Sequence, residues 1–209
     1  MSDTLVAPCS TLHEKVGEPR PIGPWANGML MTPDDFDSVT EWDPDYHYEL
    51  INGVLIVSPP LEAGERGPND ELAFLLRDYR YRHANGSVID DTLAEQTVAT
   101  AIGRRRMDRA IWIGYGRNID PDKDVPTISV EFVSNRSRDR RRDYIHKHEE
   151  YEARGVCEYW IIDRFRRSMT VIRKGDVQVV AEPETYRTEL LPGFELPLAR
   201  LLAVADMFK

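Results

Sequence analysis

The chain has 209 residues, 30% of them charged and 41% hydrophobic, with a formal net charge of −9. That size suits one domain with extensions. The charge argues against a broad nucleic-acid surface, and no apolar run reaches the roughly 18 residues a membrane span needs. Cys9 and Cys157 are the only cysteines, too few and too far apart for a disulfide framework or a thiolate metal site, and residues 1–10 have neither a basic start nor an apolar core of a secretion signal, so a cytoplasmic location is expected.

Residues 1–28 are rich in Pro, Gly and small polar residues without strand or helix period, and read as a flexible leader before a domain spanning 29–209. Thr32-Pro33-Asp34-Asp35 opens a short helix ending near Thr40, because Thr caps, Pro at the first helical position loses no hydrogen bond, and two acids complement the dipole. Residues 46–51 and 54–57 form a hairpin about Asn52-Gly53, a pair suited to a type I′ turn. A Gly- and Pro-rich loop follows to Gly67. Pro68 then starts a helix over 68–84 with Leu72, Leu75, Leu76, Tyr79 and His83 on one stripe, and Gly86 stops it.

Strands are predicted over 88–90 and 93–100, and Gly103 with Arg104, Arg105 and Arg106 makes a basic approach to a strand over 106–113. A polar loop over 114–124 precedes an apolar strand over 128–134. Residues 139–154 lack Pro and Gly and close on Gly155, a helix with clear ends. A buried strand over 157–163 follows, then a hairpin of 169–173 and 177–181 through Lys174-Gly175-Asp176, and a short helix over 198–205. The pattern is α/β with a mixed sheet, flanked by N-terminal and C-terminal β-hairpins.

Two of the most apolar strands each carry a carboxylate, Asp108 in the first and Glu131 in the second. Two acids at neighbouring strand ends can share a hard cation such as Mg²⁺, which prefers oxygen ligands. Lys147, on the helix after the Glu131 strand, has Asp143 four residues before it and Tyr151 four after it on the same face, and its ammonium can orient a water or offset charge on a phosphate. A plainer reading stands beside this one: Asp108 pairs with Arg106 or Arg109, Glu131 faces water on an edge strand, and Lys147 pairs with Asp143 for a few tenths of a kcal/mol. His146 and His148, two apart on a helix, point in different directions and make no zinc pair. Tyr159 and Trp160 read as core. Arg138 and Arg140 to Arg142 are candidates for phosphate contact at the start of the lysine helix, with plain solvation of a first turn as the alternative.

The segments Tyr48-Glu49-Leu50-Ile51-Asn52-Gly53, Met107-Asp108, Val130-Glu131-Phe132-Val133-Ser134, Asp143 with Lys147 and Tyr151, and Gly155-Val156-Cys157-Glu158-Tyr159-Trp160 occur in one order. As an ordered set over residues 29–208 they resemble the putative restriction endonuclease family common in bacteria, a branch of the PD-(D/E)xK nuclease superfamily. The resemblance implies a restriction-endonuclease-like core with a mixed central sheet flanked by helices. It implies Mg²⁺ or Mn²⁺ bound by Asp108, Glu131, the backbone carbonyl of Phe132 and Glu49, with Lys147 completing a catalytic set that acts on DNA, commonly as a homodimer. Two departures stand out: Val133 occupies the position where the superfamily has its lysine, the role passing to Lys147 on the following helix, and Met107 replaces the usual Pro before the Asp. The alternatives are a non-catalytic nucleic-acid-binding or protein-interaction module on the same fold, and a hydrolase of another phosphate-containing substrate.

Overall fold

Turn and cap chemistry sets the ends of most elements in the computed structural model, which describes residues 20–134 and 140–208, with no side-chain description for 140–146. Thr32 accepts from the Asp35 N–H and Asp35 accepts in return from the Thr32 N–H, a reciprocal cap that starts α1 (Pro33–Ser38). Asn52 and Gly53, at φ 50° and 78°, turn β1 (His47–Ile51) back into β2 (Val54–Ser58), as the type I′ pattern predicts. Lys174 and Gly175, at φ 48° and 79°, do the same between β7 (Ser168–Arg173) and β8 (Asp176–Ala181).

Three differences from the sequence reading go beyond a shift of one or two residues at an element's end. Residues 20–28, assigned above to the leader, pack on the first hairpin: Ile22 bridges Trp42, Pro24–Ala26 forms a 3-10 turn, and Ala26 is buried with Tyr48 and Leu55. The long helix α2 runs Ala63–Arg82, beginning five residues before Pro68. Its extra turn is capped by Glu62 and Glu65, and its glycines are packing sites: a Cβ on Gly64 would collide with the Arg164 guanidinium, and one on Gly67 would meet the Phe208 ring at 2.7 Å. Tertiary packing and the cap offset the one helical hydrogen bond that Pro68 cannot make. Finally, the two strands predicted over 88–100 are one, β3 (Ile89–Ala99), with a register irregularity between Ile89 and Asp91.

The remaining strands are β4 (Arg104–Ile113), β5 (Ile128–Phe132), β6 (Glu158–Asp163), β9 (Thr185–Tyr186) and β10 (Leu196–Pro197). An eight-stranded sheet has the order β2-β1-β4-β5-β6-β7-β8, with β3 also on β4; β5 and β6 are parallel and the other pairs antiparallel. One face buries Leu72 and Leu76 of α2, Ile111, Val130, Trp160 and Ile162 of the sheet, and Leu198, Leu201 and Leu202 of α4 (Leu198–Asp206). The other buries Met107, Ala110, Trp112, Tyr159 and Ile161 against Tyr151 of α3 (Arg140–Arg154). The mixed sheet flanked by helices is the architecture expected from the alternation of elements. Gly155, at φ 101°, ends α3 where the sequence placed its cap. Arg136, Arg138 and Asp139 lie outside the described residues, as do the side chains of Arg140, Arg141, Arg142, Asp143 and His146.

Candidate functional site

β3 holds one edge of β4 over its whole length, so β1 and β5 must share the other. β1 meets β4 only at Arg104, and β5 only at residues 109–111. Residues 105–108 therefore have no strand on that side, and the sheet has a gap in its middle.

The pleat of β4 inverts within this gap. Arg105 bonds Glu150 of α3 and Met107 packs on the α3 face, whereas Arg109 bonds Asn69 of α2 and Ile111 packs on the α2 face. Side chains of a regular strand alternate, so residues 105, 107, 109 and 111 should share one face. The opposing strand inverts with it. Thr92 lies toward Arg109, Leu93 and Val98 both pack on the α3 face, and Glu95 between them takes φ 54°, an uncommon conformation for a residue with a Cβ. Because both strands shift together, their register is unchanged on either side of Glu95 and Asp108. The outcome is that Asp108 reaches across to β5, where its Oδ2 accepts the Phe132 N–H at 2.6 Å.

Side chains supply the hydrogen bonds that a strand would have made in the gap. Glu49, from β1, accepts the Arg106 N–H at 3.0 Å. Lys147 Nζ and Tyr151 Oη, one α3 turn apart, donate to the Arg106 carbonyl at 3.1 and 3.4 Å and to Glu131 Oε1 at 2.9 and 3.3 Å. Lys147 Nζ also stands 3.5 Å from Glu49 Oε1. Asn69 of α2 donates to the Asp108 carbonyl at 2.9 Å and accepts from Arg109 Nε at 2.6 Å, fastening the inverted pleat to the helix. The gap opens into a cleft of about 250 Å³ lined by Glu49, Glu65, Arg105, Asp108, Glu131 and Lys147 among others.

The cleft is electrostatically unbalanced. Burial pushes Asp108 well above the usual carboxylate range and the nearby Glu131 pushes it further, against the pull of the Phe132 N–H and Lys147. Burial also raises Glu131, with Lys147 opposing. For Lys147 burial alone would favour the neutral amine, but Glu131 and Glu49 hold the ammonium well above its ordinary range, so it stays charged. An oxygen-only donor set with excess negative charge fits a hard divalent cation, and Asp108, Glu131, the Phe132 carbonyl and Glu49 are the groups on hand to hold one. Among the described residues no three His, Cys, Asp or Glu side chains are already grouped at ligating distance.

Of the plainer pairings considered for these residues, those of Asp108 with Arg106 or Arg109 do not form, and that of Lys147 with Asp143 lies outside the described residues. Arg106 bonds Glu95 and Arg109 bonds Asn69, leaving Asp108 to Phe132. Glu131 is on an interior strand with 6% of its surface exposed, and Lys147 is turned inward.

A family described as "Putative restriction endonuclease", Uma2, matches residues 33–199. The chain belongs to the Uma2 family. Among solved structures, four chains match; one is described as a "putative nuclease belonging to DUF820" from Anabaena variabilis ATCC 29413, 16% identical, with a TM-score of 0.69 over 84% of this chain and 99% of that one. At that identity the likeness concerns the fold, which is the nuclease-like α/β arrangement expected above. No curated protein matches. No helix among the described residues is long and apolar enough to cross a membrane.

Two Uma2-site features were not read from the sequence. Glu65 lines the cleft from the first turn of α2, is 2% exposed and raises Asp108 further. Its signal was the spacing Glu62-x-x-Glu65, masked by the glycines and Pro68. The Asn69 link to Arg109 had no sequence signal, because it depends on which strand α2 crosses.

Proposed function

We propose that this chain is a Mg²⁺- or Mn²⁺-dependent endonuclease hydrolysing DNA phosphodiester bonds, with Asp108, Glu131, the Phe132 carbonyl and Glu49 as cation ligands and Lys147 as the residue that positions the attacking water. The observation that carries it is the 2.9 Å contact between Lys147 Nζ and Glu131 Oε1, made from α3 where Val133 leaves β5 without a lysine. A bound divalent cation supplies Lewis acidity at a phosphoryl oxygen and lowers the pKa of water. Lys147, held charged between Glu131 and Glu49, orients a water and offsets charge growing on the phosphate; it does not take the proton. Asp108 and Glu131 are kept in place by the Phe132 N–H and by Tyr151. Cleavage of plasmid or oligonucleotide with Mg²⁺ or Mn²⁺ tests the reading, and wild-type rates in Glu131→Gln and Lys147→Ala would overturn it.

A non-catalytic binding module is the second reading, favoured by the lack of a ready-made cluster of three ligands among the described residues. Calorimetry separates the two: a folded protein that takes up neither Mg²⁺ nor Mn²⁺ at millimolar concentration is the module. A homodimer presenting two sites to two strands belongs to the nuclease reading, and a monomer mass by light scattering removes that part.

A further inference from the structure

The arginines before Asp108 are not used by the chemistry just described, yet both Arg105 and Arg106 line the cleft. They lie in the stretch of β4 without a strand partner on its open edge, and being consecutive they leave the strand on opposite sides. Arg105 is 1% exposed. Glu150 of α3 takes its Nε and Nη2 at 2.8 and 2.6 Å, and its Nη1 is buried with no acceptor. Arg106 gives Nη2 to Glu95 at 2.9 Å, and its Nε is likewise buried with no acceptor. A buried donor without a partner is destabilising, more so on a charged group. Two such donors on adjacent residues beside one cleft mark where an external acceptor is missing.

Glu150 and Glu95 fix the two guanidiniums in place, so an incoming anion does not have to order them. Guanidinium N–H groups match the oxygens of a phosphodiester, and carboxylates are already plentiful in the cleft. We propose that Arg105 Nη1 and Arg106 Nε are the donors that grip a backbone phosphate of the substrate, one from each side of the gap. The proposal rests on the nuclease reading for the identity of the substrate but not for the existence of the anion site. It also resolves how a chain of net charge −9 engages a polyanion: through two preset donors in a cleft, not through a basic face.

The test uses the full chain with Arg105→Lys and Arg106→Lys. Binding of a fluorescein-labelled DNA duplex in Ca²⁺ is read by anisotropy, binding of inorganic phosphate and of Mn²⁺ by calorimetry, and folding by thermal melting. Each substitution keeps the charge and removes the unpaired N–H, and is expected to weaken duplex and phosphate binding by about tenfold or more, with Mn²⁺ affinity unchanged. Wild-type duplex and phosphate affinity in both variants overturns the proposal, as does a parallel loss of Mn²⁺ binding or a wild-type protein that binds neither anion. If Arg105→Lys melts early through its contact with Glu150, the partly exposed Arg106, whose guanidinium is held by Glu95 of β3, decides alone. A protein that binds phosphate through these arginines but cleaves nothing refutes the nuclease reading and upholds this one; one that cleaves with both variants at wild-type kcat/KM does the reverse.

Discussion

Adjacent parallel strands carry two buried glutamates whose surroundings could hardly differ more. Glu158 on β6, 1% exposed, receives three neutral donors from its own side of the sheet, Trp160 Nε1 at 2.9 Å, Tyr186 Oη at 3.0 Å and Thr188 Oγ1 at 2.6 Å, with the Arg173 guanidinium farther off at 3.9 Å. Glu131 on β5 faces the other side, beside one ammonium, one phenol and the like charges of Asp108 and Glu49. A carboxylate whose lone pairs are filled by neutral hydroxyl and indole groups is finished as a structure. One surrounded by other carboxylates at the rim of a cleft is stable only with added positive charge, and that is the condition a cation-binding site satisfies.

The strongest separation of the two comes from the same conservative change. Glu131→Gln, like Lys147→Ala, should lower the cleavage rate by roughly 10²–10³ or more, the scale seen when a preorganised charge-stabilising group is removed. Glu158→Gln should leave the rate per folded molecule near wild type but lower stability by about 1–3 kcal/mol, since the amide NH₂ then faces donors. Plasmid cleavage and urea melts of the two variants check this directly, and a reversed pattern would exchange the roles assigned to the two strands.

An acid in an apolar strand is the same signal in both places, and reading 128–134 as the strand of interest did not by itself separate Glu131 from Glu158. What did was local spacing: Lys147 and Tyr151 fall on one helix face, and both reach Glu131. Hairpin turns were legible for a related reason, because Asn52-Gly53 and Lys174-Gly175 need only their own backbone to be understood. The inverted pleat was not legible, since it needs β3 and β4 to shift together at Glu95 and Asp108, residues on two strands. Nor was the true start of α2, because Gly64 and Gly67 resemble helix breakers until Arg164 and Phe208 are seen to occupy the space that side chains would fill.

Asp108 offers a second, smaller contrast. Its raised pKa means that the cation-free native state binds a proton that the unfolded chain has already released, from the ordinary carboxylate range up to the raised value. Stability contributed by this group is present below the ordinary value and is lost as pH rises through the raised one. Asp108→Asn should therefore melt higher than wild type at neutral pH in chelator and gain nothing in acid, while Mn²⁺ should raise the melting temperature of wild type more than that of the variant. Equal melting of the two proteins across pH would mean that Asp108 is not held against its charge.

The smallest effect expected separates packing from positioning. Thr188→Val removes one neutral donor from Glu158 and the acceptor for the Leu190 N–H, and should cost about 1.5–3 kcal/mol with no change in cleavage. Asn69→Ala removes both the donor to the Asp108 carbonyl and the acceptor for Arg109, a guanidinium that burial lowers to about 10. It should cost a similar amount, about 1.5–3 kcal/mol, because here too a bond to a charged group is lost. The useful quantity is the ratio of rate loss to stability loss. If Asn69 only holds α2 on the sheet, its variant behaves like Thr188→Val once the folded fraction is matched. If it sets the pleat that sends Asp108 toward β5, then kcat and Mn²⁺ affinity fall in the fully folded protein, and excess Mn²⁺ restores occupancy of the site without restoring kcat.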